Sequence, residues 1–382
     1  MINISKPTEC CGCNACVQAC PKSCISFDED KEGFRYPHVD LDRCINCNIC
    51  EKVCPVLNVP YKQAIKKVYA AIYENEPIRA TSSSGAVFSY IAEKVLGKGG
   101  VVFGAGFDSN WEVQHICVQN EQDLSKIRGS KYLQSRIGDS YKRTRTFLEE
   151  GRIVLFSGTP CQIAGLKNFL RKDYENLICI DFICHGVPSP KIWRLYLKQI
   201  ITDSNLGIDL TDIKSIHFRS KSMGWSNYSF LISSSNGVRE VSHLEDYYNR
   251  AFNRNMILRP ICYQCPFKGG NSGSDFTLAD FWGIKDIDQT MYDDMGTSMV
   301  ISYGKEVVGL ENLRFSEESI DCIRKYNASY YESAGIDDNR VVFFGHLKDN
   351  VNIIKLFKHC ITPTLLQRVS NRIYRLIHKK SI

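Results

Sequence analysis

The spacing of hydrophobic positions divides the chain into three textures. Between residues 66 and 201, short apolar runs at Val68–Tyr73, Val101–Phe107, Val113–Val118, Ile153–Phe156 and Leu177–Ile183 predict strands. Among them, Ser84–Leu96, 139–149, Gln162–Leu170 and 190–201 repeat their apolar residues at helical intervals. Strands separated by helices of this length favour parallel pairing through right-handed crossovers. Beyond residue 210 the period becomes two: Ile213–Phe218, Tyr228–Ser233 and Val238–Val241 predict a meander or hairpins, followed by a helix near 244–257 and a strand ending at Asp280. In Thr364–Lys380, Leu365, Leu366, Val369, Ile373, Leu376 and Ile377 share one helical face, with Arg368, Arg372, Arg375, Lys379 and Lys380 around it. Such a helix packs on its own domain, docks on a partner, or makes a peripheral contact with an anionic membrane.

Residues 1–58 show neither period, and ten of the chain's 18 cysteines lie there, between positions 10 and 54. Eight form two copies of C-x2-C-x2-C-x3-C-P: Cys10, Cys13, Cys16, Cys20 and Cys44, Cys47, Cys50, Cys54, each ending on proline. Three thiols at steps of three wrap one corner of a cubane, and the fourth reaches across to the other cluster. Cys10, Cys13, Cys16 and Cys54 are therefore expected to hold one [4Fe-4S] cluster, and Cys44, Cys47, Cys50 and Cys20 the other. A zinc site needs four ligands converging on one ion, which this stepped spacing suits less well. A disulfide framework needs an oxidising compartment, whereas the opening MINISKPTEC has no apolar signal-peptide core and the expectation is a reducing cytoplasm. Cys11 and Cys24 fall outside the spacing and read as packing residues. Two clusters leave little room for a side-chain core, so metal is expected to hold this domain together.

Composition adds bounds: 382 residues, 43% hydrophobic and 24% charged, are ordinary for a globular protein of two or three domains. A net charge of +6 is mild at this length, and no nucleic-acid partner is expected. The fold class is α+β: a bis-[4Fe-4S] ferredoxin-like domain over 1–58, a linker near Val56–Gln63, a larger mixed α/β domain over 66–335 (parts 66–145 and 150–335) and a helical tail over 340–382.

A second set of metal-type residues lies in the larger domain. Cys161 and Cys184 each follow a strand, so a β-α-β crossover brings them to one rim of the sheet, and Cys262 and Cys265 add a C-x2-C pair before proline. The set reads as a third [4Fe-4S] site, a structural zinc site, or unrelated buried thiols. Cys117, Cys179, Cys322 and Cys360 read as core residues. Ser82, Ser83, Ser84 and Gly85 precede a helix, an arrangement for either an anion or N-capping. Arg128, Ser130 and Lys131 make a cationic step for a pyrophosphate or acidic substrate, or a solvated loop. His185 either assists the site or is satisfied by backbone, while Asp280 is expected on the same rim with Phe281 and Trp282 as walls for a planar ring. No G-x-G-x-x-G occurs, so no conventional dinucleotide fold is expected.

Thr81–Gly85, Gly100–Gly104, Arg128–Tyr132, Gly158–Gln162, Asp181–Gly186, Cys262–Pro266 and Asp280–Gly283 run in the order seen in the coenzyme F420 hydrogenase/dehydrogenase beta-subunit family. The chain resembles the form of that family with an N-terminal bis-[4Fe-4S] domain. The resemblance implies FAD beside a third cluster on Cys161, Cys184, Cys262 and Cys265, making the larger domain flavin- and cluster-binding. It places Ser82, Ser83, Ser84, Gly85, Arg128, Ser130, Lys131, Thr159, His185 and Asp280 at the cofactor. Ala86 stands where relatives often carry a second glycine. Members act on deazaflavin F420, chlorophyll-type pigments or other substrates, and bacterial forms accompany surface-polysaccharide synthesis. The implied function is an iron-sulfur flavoprotein oxidoreductase, served by ferredoxin or a reduced F420-type donor. The alternatives are an electron-transfer subunit of a larger hydrogenase or dehydrogenase, or a non-catalytic assembly or regulatory protein.

Overall fold

The computed structural model describes residues 1–203, 209–305 and 311–378. Near the N-terminus, β1 (Ile25–Glu29) and β2 (Arg35–Val39) pair as an antiparallel hairpin, flanked by the short cysteine-bearing helices Ala15–Ala19 and Ile49–Lys52. Five strands follow: β3 (Lys67–Tyr73), β4 (Val101–Phe107), β5 (Val113–Val118), β6 (Val154–Ser157) and β7 (Leu177–Phe182). Next come β8 (Ile213–Ser220), β9 (Ser229–Ser234) and β10 (Val238–Ser242), a separate antiparallel meander as its alternation requires. The last three are β11 (Phe276–Asp280), β12 (Ser298–Ser302) and β13 (Leu313–Glu318).

Eight of these strands form one sheet in the order β13-β3-β12-β11-β7-β6-β4-β5. Parallel pairing is confined to the centre, β4 with β6, β6 with β7, and β7 with β11. The expectation of a parallel series therefore fails at both edges. Asp108–Glu112 is too short for a crossover, so β5 returns antiparallel to β4. β3 pairs antiparallel with β12 and β13, which come from the far end of the domain.

Alternation along the central strands divides the core between two faces. Val101, Phe103, Val154, Phe156 and Leu177 pack on one side with Tyr141, Ile163, Leu166 and Phe169 from the helices Ser140–Glu149 and Pro160–Leu170. Val102, Leu155 and Ile180 point to the other side, against Val87, Tyr90, Ile91 and Val95 of the helix Val87–Leu96. The cysteine domain joins the first of these cores through Cys11, Cys13, Ala15 and Val53. Polar contacts fasten it as well: the Gln18 side-chain oxygen accepts from the amides of Tyr141 and Lys142 at the start of their helix, at 3.0 and 3.1 Å. A third core is built on Trp193, Phe218, Phe230 and Tyr248 and is closed by the helices Arg340–His346 and Ile353–Ile361. Among the described residues, no helix is long and apolar enough to cross a membrane.

Candidate redox relay and anion site

The N-terminal thiols surround two separate cavities, and each cavity mixes the two motifs. Cys10, Cys13, Cys16 and Cys54 line one, and Cys20, Cys44, Cys47 and Cys50 line the other. Local backbone explains the wrapping: Gly12, Asn14, Asn46 and Asn48 all adopt positive φ, the left-handed turns that coil the loops around the sulfurs. Backbone amides point at the thiols, Gly12 N–H to Cys10 Sγ at 3.3 Å and Ile2 N–H to Cys50 Sγ at 3.2 Å. Among the described residues, no three His, Cys, Asp or Glu side chains converge on a point as a single ion requires. Thiols standing round a cavity suit a multi-iron cluster better than zinc. Cys24 lines the second cavity, 3.4 Å from Cys20 Sγ, rather than lying apart from it. Cys47 is exposed and Cys10, Cys13 and Cys16 are buried, so the second cavity is outer and the first inner.

The inner cavity adjoins the third thiol set. Cys161 lies in the first turn of the helix Pro160–Leu170, where Thr159 forms the N-cap and its Oγ1 sits 3.1 Å from Cys161 Sγ. Cys184 follows β7, and Cys262 and Cys265 lie in and just after the 3-10 turn Pro260–Gln264. Burial and then the neighbouring charges of Cys262, Cys161 and Cys265 push the Cys184 thiol up. Burial with Cys161 and Cys265 raises Cys262 to about 12, and burial with Cys161 raises Cys265 to about 11. The four thiols are thus mutual neighbours in a poorly solvated place, where thiolates need a cation. Cys11, expected only to pack, lines the inner cavity and has Cys13 and Cys161 among its electrostatic neighbours, so it stands between that cavity and this set. Gly165 makes the approach possible: a Cβ there would stand 2.9 Å from Cys13 Cβ and 3.0 Å from Cys13 Sγ.

Arg259, three residues before Cys262, has no spacing signal and escaped sequence reasoning. It is 0% exposed and donates to the carbonyl oxygens of Cys10 (2.7 Å) and Arg35 (2.9 Å) and to Gln134 Oε1 (3.0 Å). Its guanidinium lies 4.3 Å from the Tyr36 ring centroid. Among the described residues no carboxylate pairs with it. Burial opposes the charge, yet Cys10, Tyr36, Cys11 and Cys262 hold its pKa up. A buried cation without an acid needs another anion beside it, and thiolate-ligated iron is one.

The serine run follows a different course from the one expected. The helix begins only at Val87, with Ala86 at its N-cap in the left-handed region (φ 64°), and none of the serines caps it. Ser82 Oγ donates to the carbonyl of Ile78, Ser84 Oγ to that of Thr297, and Ser83 Oγ lies 2.8 Å from Ser130 Oγ. Gly85 presses on the sheet, where a Cβ would come 2.3 Å from the carbonyl of Ala71. The run and the Arg128–Lys131 step therefore form one surface. Arg128 donates to Ser89 and Thr81, and Lys131 Nζ to the carbonyls of Arg128 and Gly129. Lys221, absent from the sequence reading, closes the other side, donating to the carbonyls of Arg79, Ser84 and Met295. Burial lowers Lys131 to about 7, and burial with nearby Arg79 lowers Lys221 to about 7.

Ala86 pays for its left-handed backbone. Ala86→Gly is expected to raise stability by roughly 0.5–1 kcal/mol, read from a urea midpoint at unchanged slope. A loss of stability would show that the alanine methyl, buried here, outweighs the backbone strain.

The remaining candidates divide. His185 packs edge-on against Phe252 at 5.0 Å, and burial lowers its pKa, so it is a neutral ring beside Cys184. Asp280 ends β11 but is ion-paired with Arg219 and accepts from Trp225 Nε1 at 3.1 Å. Phe281 is wholly buried and offers no wall to a ligand, a correction to the sequence reading. The residue after an outward-facing strand end points into the core formed with Ile284 and Ile323. Trp282 remains partly open and stacks on Trp225, with ring centroids 5.1 Å apart.

Comparison with known proteins agrees with this division of the chain. Residues 9–58 match the 4Fe-4S dicluster domain, which carries two [4Fe-4S] clusters. Residues 151–310 match the family described as the C terminus of the coenzyme F420 hydrogenase/dehydrogenase beta subunit. The coenzyme F420-dependent sulfite reductase of Methanocaldococcus jannaschii is 30% identical over 231 residues, 55% of this chain. The chain matches only 35% of that relative's length. A chain of the F420-reducing [NiFe] hydrogenase complex from Methanosarcina barkeri superposes with a TM-score of 0.44 at 18% identity, covering 81% of this chain and 92% of that one. The chain is thus similar over residues 9–58 to the 4Fe-4S dicluster domain and over residues 151–310 to the C terminus of the coenzyme F420 hydrogenase/dehydrogenase beta subunit.

Proposed function

We propose that this protein is an iron-sulfur flavoprotein oxidoreductase that passes electrons between a one-electron carrier and a two-electron substrate of the F420 type. The observation that carries the reading is the adjacency of three thiol sets: Cys20, Cys44, Cys47 and Cys50, of which Cys47 is exposed, then Cys10, Cys13, Cys16 and Cys54, mostly buried, then the half-buried Cys161, Cys184, Cys262 and Cys265. In this reading each set ligates a [4Fe-4S] cluster, and Cys11 fills the gap between the second and third. FAD, when bound, supplies the exchange between single electrons and hydride. Its phosphates are assigned to the serine run with Ser130, Arg128, Lys131 and Lys221, and Trp282, partly open just after the end of β11, is the candidate wall for its ring system. Thr159 orients Cys161 by its hydroxyl, and neutral His185 adds no charge beside Cys184. A groove lined by Lys142, Arg145, Arg171 and Lys172 adjoins Ile49 at the cysteine domain and suits an acidic carrier such as a ferredoxin in a reducing cytoplasm.

A second reading has a specific basis. The sulfite reductase relative extends well beyond the region shared with this chain, so the substrate chemistry of such a system can reside outside it. In that case this protein is the electron-transfer subunit of a larger dehydrogenase or hydrogenase.

Iron and flavin per chain, measured on protein purified without oxygen, test the proposal. About twelve irons with one FAD support the relay, whereas about eight irons without flavin overturn the enzyme reading. The pH dependence of anion binding is a further check. With both lysines near 7, they carry charge below that pH and lose it above, so affinity for inorganic pyrophosphate should fall as pH rises from 6 toward 8.5, by at most about tenfold per unit for each lysine. His217, which faces Lys131, has its pKa lowered by burial and adds no compensating charge over this range. Calorimetric titration of the wild type and Lys131→Met checks this; a flat wild-type profile removes Lys131 and Lys221 from the site.

A further inference from the structure

The chain's net positive charge is concentrated in its last 33 residues. Of 48 Lys and Arg, seven fall in residues 350–382, which contain none of the 42 Asp and Glu; the 349 residues before them carry 41 basic against 42 acidic. Two helices occupy this segment, Ile353–Ile361 and Leu365–His378. The first is amphipathic in the ordinary direction, with Ile353, Leu356, Phe357 and Cys360 buried against the body.

The second is turned the other way. It rests on the body through Asn371, which is 2% exposed and lies 2.6 Å from His359 Nε2 by its Oδ1, and through Tyr374, whose ring packs on His346 at 5.1 Å and over Gly345. Leu365, Leu366, Val369, Ile373 and Leu376 face outward, 53–84% exposed. At 100° per residue this apolar row lies far round the helix from Asn371 and Tyr374, and the exposed Arg368 and Arg372 run along one edge of it. The side chains of Arg375 and Ile377, and all of Lys379 and Lys380, lie outside the described residues.

A helix that only closed its own domain would turn the leucines inward and the asparagine outward. We propose that Leu365–His378 seats the protein on an anionic lipid surface, its axis in the membrane plane. The outward row would enter the acyl boundary, and the arginine edge would meet the lipid phosphates. A protein partner needs an apolar groove with an acidic rim, whereas an anionic bilayer offers both properties along its whole surface. The body's near-zero net charge leaves this segment to supply the attraction.

Co-sedimentation of the full-length protein with lipid vesicles tests the proposal. Phosphatidylcholine vesicles containing phosphatidylglycerol are expected to bind at least about tenfold more protein than phosphatidylcholine alone, with loss of binding at high salt. Arg368→Glu with Arg372→Glu should remove the anionic preference, and Leu366→Glu with Ile373→Glu should abolish binding. Iron content and the far-UV spectrum should stay unchanged, because all four side chains are exposed. Failure to bind either vesicle overturns the proposal. So does a wild-type dimer in solution that Leu366→Glu dissociates, since the row would then be covered by a second copy. Neither result bears on the redox reading, which rests on other residues.

Discussion

Replacing Cys54 by alanine should remove the inner cluster rather than the one nearest it in sequence, lowering iron by about four atoms per chain. Cys54 belongs by spacing to the second motif, yet its thiol lines the cavity of Cys10, Cys13 and Cys16. Cys20→Ala should empty the outer position in the same crossed manner, since Cys20 lines the cavity of Cys44, Cys47 and Cys50. The two losses should differ in consequence. Without the outer cluster, as in Cys20→Ala or Cys47→Ser, reduction by an external one-electron donor should stop while hydride reduction of the flavin continues. Without the inner cluster the relay is cut one step deeper, and Cys11 and Cys13 lose the partner that holds their loop against the helix Pro160–Leu170. Iron analysis with stopped-flow reduction from each end checks both. If Cys54→Ala spares the inner cluster's spectrum, the crossed assignment is wrong.

Arg259→Met should make the cluster beside it a stronger reductant. The guanidinium is wholly buried, and its three acceptors are two carbonyl oxygens and an amide oxygen, all neutral. Its charge therefore remains uncancelled and favours the more negative, reduced state of a neighbouring cluster. At an effective dielectric near 20 and a separation of roughly 7 Å the interaction is about 2 kcal/mol, or about 100 mV for one electron. The midpoint should fall by that order in an EPR-monitored titration, whereas Arg259→Lys should restore much of it. A purely structural role would lower stability in both variants and leave the midpoint of whatever protein folds unchanged. Gly12 belongs to the same arrangement. At φ 73° its missing side chain lets the cysteine loop lie on Gln134 and Arg259, where a Cβ would stand 2.4 and 3.0 Å from their nitrogens.

What could be read from the sequence follows from how local each constraint is. The thiol spacing is a local property, because each motif wraps its own corner of a cavity within one or two turns of chain. The central strands and their helices were legible because alternation and helical spacing differ over a few residues. β12 and β13 went unread: Ser298–Ser302 is buried throughout and has no alternation, and β13 is a mostly exposed edge whose partner among the described residues, β3, lies about 240 residues earlier in the chain. For the serine run the sequence leaves an anion site and N-capping open, and it places no cap at Ala86 because a positive φ at alanine carries no sequence signal. Arg259 and Lys221 are single basic residues without a pattern around them. Their roles emerge only when segments from opposite ends of the chain meet.

The cysteine domain does not stand alone as a ferredoxin on a tether. Cys11, Cys13, Ala15 and Val53 complete the same hydrophobic face that buries Tyr141, Ile163 and Phe156. The body can therefore finish that face only after the N-terminal loops have closed, and in the proposed relay those loops close around iron. Maturation thus has an order: metal first, then the seam. A chain starved of iron, or stripped of it by oxygen, should display an apolar patch to chaperones and proteases, so that cofactor status is converted into protein lifetime.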